Sequence, residues 1–179
     1  MTRPIAVAVF GSSQTDPESA EWADAEKVGR RLALSSFAVI TGGYGGTMEA
    51  VSKGANEAGG HVIGITAPTL FPGRPSANPF VDELIEAEGL ADRIGRMMDR
   101  AAGTLALPGS IGTAAELLVA WNTNNIMSRN GGSSIPTAAI GQGWASVATT
   151  LSEEIMAVPS DIHLAPDADV GLDWLIAQL

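Results

Sequence analysis

Two short stretches hold the residues best suited to chemistry. The first is Pro108-Gly109-Ser110-Ile111-Gly112-Thr113, followed three residues later by Glu116. Glycine lets a backbone come close to a ligand, and the start of a following helix presents unpaired N–H groups with partial positive charge, which together make an anion site. Beside it, Glu116 is expected in the first turn of its helix, where the positive end of the dipole keeps it ionised near neutral pH, able to stabilise a positive charge or orient a water. The plainer alternative is a helix-capping acid.

The second stretch contains Arg93, Arg96 and Arg100, spaced three and four apart. Arginine keeps its proton at any ordinary pH, so it can hold a phosphate or a base but cannot act as an acid. The same spacing also describes a solvated helix face paired with carboxylates.

Two further glycine turns accompany the first. Gly11-Ser12-Ser13 and Thr41-Gly42-Gly43-Tyr44-Gly45-Gly46-Thr47-Met48 each follow an apolar run and lead into a helix-like segment. One such turn alone is as readily steric as functional, whereas three at one sheet edge point to a phosphate-bearing ligand. The glycine spacing differs from G-x-G-x-x-G, and the next strand end, Gly64-Ile65-Thr66, has no acid for a ribose 2′-hydroxyl, which disfavours a dinucleotide oxidoreductase. No G-x-x-x-x-G-K-[ST] is present, so a P-loop nucleoside triphosphatase is disfavoured too. Lys27 and Lys53 fall on polar helix faces, which argues against a Schiff-base lysine and pyridoxal chemistry.

The elements that must position these turns alternate along the chain. Strands are expected at Ile5 to Phe10, Phe37 to Ile40, His61 to Ile65, Glu83 to Ala87, Thr104 to Leu107, Ile135 to Ile140 and Asp161 to Leu164. Helices are expected at Pro17 to Leu34 with Asp16 as N-cap, Gly46 to Ala58, Leu90 to Ala101, Thr113 to Met127, Trp144 to Met156 and Val170 to Gln178. Thr66 to Asn78 is rich in proline and glycine and reads as a long surface loop, with a polar loop at Ser128 to Ser134. This order implies right-handed crossovers and a mostly parallel, doubly wound α/β sheet with helices on both faces, Rossmann-like, in one domain over residues 1–179. Ligands in such sheets sit at the carboxyl ends of the strands.

Composition narrows the partners. The net charge of −10 repels a nucleic-acid backbone, leaving a small anion held by local donors as the expected ligand. There is no cysteine, and His61 and His163 have no second ligand at a metal-binding spacing, so neither a metal nor another cofactor is expected. No apolar run is long enough for a bilayer, and Met1 to Phe10 lacks a secretory pattern, so a cytoplasmic protein without membrane contact is expected.

Taken together, the motifs resemble those of the LOG (LONELY GUY) family of cytokinin riboside 5′-monophosphate phosphoribohydrolases. The family pattern P-G-G-x-G-T-x-x-E is met by Pro108, Gly109, Gly112, Thr113 and Glu116, with Ser110 in place of a glycine. The arginine of its R-K-x-x-M stretch is met by Arg93 with Met97, with Ile94 in place of lysine. Gly42, Gly43, Gly46 and Met48 meet its second turn, and Gly11, Ser12 and Ser13 its first; the likeness covers roughly Ile5 to Trp121. It implies hydrolysis of the N-glycosidic bond of a nucleoside 5′-monophosphate, of AMP or cytokinin riboside type, with Arg93 and Glu116 catalytic. The phosphate is expected over Gly109, Ser110, Ile111, Gly112 and Thr113 beside Pro108, with Thr41, Gly42 and Gly43 toward ribose or phosphate and Gly11, Ser12 and Ser13 toward base or sugar. Met97 is included in the nucleotide site, although Met97, Met98 and Trp121 also suit a core or a subunit contact. The resemblance further implies a homodimer, with the Met97 and Met98 helix contributing to the contact. The rival is a non-catalytic nucleotide or molybdenum-cofactor carrier of the same fold, which has no need of the Arg93 and Glu116 pair.

Overall fold

The computed structural model describes residues 4–74, 76–155 and 157–179. In chain order the elements are β1 (Ala6–Phe10), α1 (Ala20–Leu34), β2 (Ala38–Thr41), α2 (Thr47–Glu57), β3 (Val62–Thr66), β4 (Glu83–Glu86), α3 (Leu90–Arg100), β5 (Gly103–Ala106), α4 (Ile111–Arg129), β6 (Thr137–Ile140), α5 (Gln142–Ile155), β7 (His163–Ala165) and α6 (Ala168–Gln178). A 3₁₀ turn at Pro159–Asp161 precedes β7. The expected helix end at Met156, Pro75 of the long loop and the first three residues lie outside the described residues.

Strand alternation sorts the apolar side chains into two layers. Val7 and Val9 of β1 join Val39 and Leu105 on one face of the sheet, where α1, α2 and α6 supply Val28, Leu32, Val51 and Leu172. Ala6, Ala8 and Phe10 point the other way with Ile40 and Ile65, beneath Met97 of α3, Leu117 of α4 and Trp144 of α5. All strands pair in parallel, in the order β4-β3-β2-β1-β5-β6-β7. Val7 therefore faces Val39 on one side and Gly103 on the other.

This is the doubly wound sheet expected from the alternation, and its order places the strand reversal at β1. The chain steps outward from β1 to β4 and then returns to lay β5 on the opposite side of β1. At that reversal the turns after β1 and β5 diverge to opposite faces and leave a crevice at the carboxyl ends of the strands.

Local boundaries differ where side chains compete for a cap. Ser19, not Asp16, caps α1: its hydroxyl accepts the Trp22 N–H at 3.2 Å. The Asp16 carboxylate is taken by the Glu18 N–H at 2.9 Å, forming a turn ahead of the helix. Among the described residues the connection from β3 to β4 contains no helix and runs irregularly through the long loop. At the other end of the chain, the last strand begins at His163 because the 3₁₀ turn takes Asp161.

Candidate active site

Three segments meet at the β1–β5 reversal. After β1, the Ser12 carbonyl accepts from the Thr47 backbone N–H at 2.9 Å and from the Thr47 hydroxyl at 3.1 Å, latching the first turn to the start of α2. Gly46 makes this closeness possible. Its φ is +70°, and a Cβ there would run into the backbone of Ser12 and Ser13. Gly11, Ser12 and Ser13 remain half-buried at the rim.

After β5, Pro108, Gly109, Ser110, Ile111 and Gly112 are exposed, whereas Thr113 is buried. Ser110 is the N-cap of α4, and its N–H donates to the Thr113 hydroxyl oxygen at 3.2 Å. The serine that replaces a family glycine thus takes a position where serine is favoured. Ile111 and Gly112 occupy the first helical positions, whose N–H groups have no partner within the helix, so the loop opens an anion-binding helix start to solvent.

The chemistry-bearing pair lies just inside that opening. Arg93 of α3 donates from Nη1 to Glu116 Oε1 at 3.0 Å, and the residues are 6% and 5% exposed. Arg93 Nε donates to the Ile65 carbonyl at the end of β3 at 2.7 Å, and Nη2 lies 3.8 Å from the Met48 sulfur. Gly42 clears the path for this guanidinium, because a Cβ at that position would collide with Nη2. The Tyr44 ring lies beside it, 5.9 Å from the Arg93 carbon.

Because α4 begins at Ile111, Glu116 lies in its second turn, not its first, and the helix dipole is not what sets its charge. Burial pushes the Glu116 carboxyl up to about 7, and the charge and hydrogen bond of Arg93 work against that rise without overcoming it. The expectation of a fully ionised acid is therefore corrected: near neutral pH the carboxyl is divided between its two forms. The helix-capping alternative also falls, since the cap interaction belongs to Ser110 and Thr113.

Other expected members have different roles. The Thr41 hydroxyl is fully buried, accepting from the Gly43 N–H at 3.1 Å and lying 3.2 Å from the Ser52 hydroxyl, so it braces the second turn instead of facing a ligand. Met97 is completely buried in the core layer beneath α3, which places it under the site and away from any ligand or subunit surface. Arg96 pairs with Asp92 at 2.8 Å and Arg100 with Glu83 at 2.9 Å, as a solvated helix face would. Ile94 is buried beside Arg93 where the family has lysine.

Asn78 was not singled out in the sequence, yet it ties the long loop to the second turn. Its N–H donates to the Gly43 carbonyl at 2.7 Å, and its side-chain amide donates to the Tyr44 carbonyl at 3.1 Å. A lone asparagine in a proline-rich loop carries no local signal of that role. His61 lies near Asp82 and Glu83 on the surface, and His163 stacks on Trp174 at 4.4 Å, far from this edge in the fold.

A parallel α/β sheet with an exposed helix start and a buried arginine–carboxylate pair at its reversal defines a Rossmann-like protein with a candidate site at that edge. Residues 4–142 match the family described as SLOG cluster4, and the chain belongs to that family. The LOG resemblance read from its motifs rests on the same region.

Its relatives are named for nucleotide cleavage. The cytokinin riboside 5′-monophosphate phosphoribohydrolase of Mycobacterium marinum is 37% identical over 117 residues, 64% of this chain and 61% of the relative. The pyrimidine/purine nucleotide 5′-monophosphate nucleosidase of Escherichia coli K12 is 37% identical over 107 residues, 55% of this chain but 23% of that protein. A cytokinin riboside 5′-monophosphate phosphoribohydrolase of Arabidopsis thaliana is 39% identical over 98 residues, 54% of this chain and 41% of its own length. The chain thus spans less than two thirds of each.

Solved structures share the whole fold. The molybdenum cofactor binding protein of Rippkaea orientalis superposes with a TM-score of 0.75 at 22% identity, covering 99% of this chain and 98% of its own. The molybdenum cofactor carrier protein of Chlamydomonas reinhardtii does so with a TM-score of 0.71 at 25% identity, covering 98% and 99%.

Proposed function

We propose that this protein hydrolyses the N-glycosidic bond of a nucleoside 5′-monophosphate, releasing the base and ribose 5-phosphate. The observation that carries this reading is the buried 3.0 Å pair of Arg93 and Glu116, set just inside the exposed start of α4. A binding protein needs the open helix start but gains nothing from withdrawing an acid from water beside it. The relatives' names point to the same reaction.

In this mechanism the phosphate rests on the Gly109 to Thr113 turn, held by helix-start N–H groups and the hydroxyls of Ser110 and Thr113. The sugar then lies along α4 toward Glu116. As the bond to the base breaks, positive charge develops on the sugar, and the Glu116 carboxylate stabilises it and orients the attacking water. Arg93 fixes the carboxylate and, through the Ile65 carbonyl, ties its position to the sheet edge. The base leaves with the bonding electrons and takes up a proton in place of the one the attacking water gives up, so the elements of water are divided between sugar and base.

Incubation with AMP should release free adenine and ribose 5-phosphate, with adenosine cleaved far more slowly because it lacks the phosphate anchor. Tight AMP binding without base release would instead establish the carrier reading.

A homodimer and a cytoplasmic setting belong to the same proposal. Support for a second copy comes from α4, which is apolar outward as well as inward. Ile111, Leu118, Val119, Ile126 and Met127 are exposed along it, and Ile155 of α5 is 67% exposed nearby. Leu118, Trp121, Leu151 and Ile155 line a hollow of about 540 Å³ between the two helices. Exposed apolar area of this kind marks a contact surface, and it replaces the Met97 face expected from the sequence. Among the described residues no helix is long and apolar enough to cross a membrane.

A further inference from the structure

The long loop places a second arginine beside the active pair. Phe71-Pro72-Gly73-Arg74 is a tight turn: Pro72 presets the second position, Gly73 adopts φ +88° at the third, and the Arg74 N–H donates to the Phe71 carbonyl at 3.2 Å. The turn folds the Arg74 guanidinium back over the Phe71 ring at 4.5 Å and the Tyr44 ring at 5.2 Å. The two rings meet edge to face at 5.3 Å. The Tyr44 hydroxyl, in turn, accepts from the Ala67 N–H at 3.0 Å, which anchors the start of the loop.

Tyr44 thus has Arg74 on one side and Arg93 close by at 5.9 Å. The two arginines differ in their commitments. Arg93 is bound to Glu116 and Ile65, whereas among the described residues Arg74 pairs with no carboxylate and its side chain makes no hydrogen bond. A second orphan lies in the same corner. Thr66, the last residue of β3, is fully buried, and its hydroxyl has no partner.

We propose that Tyr44, Phe71 and Arg74 form the base subsite, and that Arg74 selects 6-oxopurine over 6-aminopurine nucleotides. The inference rests on the hydrolase reading and narrows it. A nucleotide with its phosphate on the α4 turn and its scissile bond at Glu116 extends its base toward the ends of β2 and β3, where this cluster lies. A guanidinium held over aromatic rings is fixed in orientation and turns its edge to acceptors lying in its own plane. That edge contains donors only. A 6-oxopurine presents N7 and O6 as adjacent acceptors, which a guanidinium meets with two bonds, whereas adenine presents N7 beside an amino group that opposes an N–H with another. The preference departs from the aminopurine substrates implied by the family resemblance.

The test compares inosine 5′-monophosphate with AMP as substrates of the full chain, in wild type, Arg74→Met and Arg74→Lys. Arg74 is exposed, so the variants should fold, which circular dichroism checks. Wild type should favour the inosine nucleotide by about tenfold in kcat/KM, the discrimination expected of one bidentate contact. Arg74→Met should bring the ratio close to one, and Arg74→Lys should recover only part of it. An equal or AMP-favouring ratio in wild type, or a ratio unmoved by Arg74→Met, overturns the proposal. If no nucleotide is cleaved, the hydrolase reading fails separately, and equilibrium binding of the two nucleotides to the same variants still decides the base preference by the same criteria.

Discussion

Arg93 and Glu116 meet across 3.0 Å from helices α3 and α4, both withdrawn from solvent, and neither helix could bury its charged residue without the other. Desolvation favours the neutral acid and the guanidinium favours the charged one, so the proton on Glu116 is balanced near neutrality. Breaking such a pair by removing one partner is costly, because it leaves an uncompensated buried charge.

Glu116→Gln keeps an oxygen for Arg93 but removes the carboxylate. Base release from a nucleoside monophosphate should fall by at least about 100-fold, the scale of a positioned acid or base, while nucleotide affinity measured by calorimetry stays within a few-fold. Retained turnover in this variant would take Glu116 out of the chemistry.

The raised Glu116 pKa also makes stability depend on pH. In the unfolded chain the group titrates near 4.5 and in the folded one at about 7, so between these values the folded state holds more protons. Folding stability therefore declines as pH rises through that window, by about 3 kcal/mol for this group, and the penalty is absent below the unfolded value. Chemical denaturation of wild type and Glu116→Gln at pH 5 and pH 8 should show the difference shifting toward the glutamine variant at the higher pH. Parallel stability profiles would contradict this. Activity that uses the carboxylate should rise with pH through about 7 and level off above it.

Gly42→Ala tests the packing that positions Arg93. The added methyl collides with the Arg93 Nη2, so the guanidinium that holds Glu116 must shift. A stability loss of about 1–3 kcal/mol by denaturant titration is expected from overpacking. Turnover should drop by about tenfold or more, since small displacements of catalytic groups are expensive. A variant with wild-type turnover would show that the close approach at Gly42 is not needed.

Leu118→Glu addresses assembly. Leu118 is 41% exposed, so a charge there leaves the folded subunit intact while spoiling an apolar contact. Light scattering should show a dimer for wild type and a monomer for the variant at micromolar concentration. A wild-type monomer, or a variant that stays dimeric, would remove the α4 face from the interface.

Much of the candidate site was legible because its signals are local. The glycine turns mark where strands end, and the Thr113 to Glu116 spacing carries the acid into the helix behind the phosphate turn. Even the inward aim of Arg93 left a trace: Met97 lies one turn further along the same stripe of α3, and both are buried with Ile94. Arg96 and Arg100 lie off that stripe and find carboxylates instead. Met97 and Thr41 were misread as ligand contacts because the same residue types serve under a site as well as in it.

By itself the sequence determined the alternation of strands and helices and the turns at the strand ends, since hydrophobic period and turn chemistry act over a few residues, while Glu116 and Arg93 stood out as candidates through the family resemblance. Only the tertiary structure decided that burial raises the Glu116 pKa to about 7, that Asn78 ties loop to turn and that Arg74 lies over Tyr44. Desolvation and cation–aromatic contact depend on which segments cover a side chain, and here those segments come from positions dozens of residues apart, beyond the reach of any local pattern.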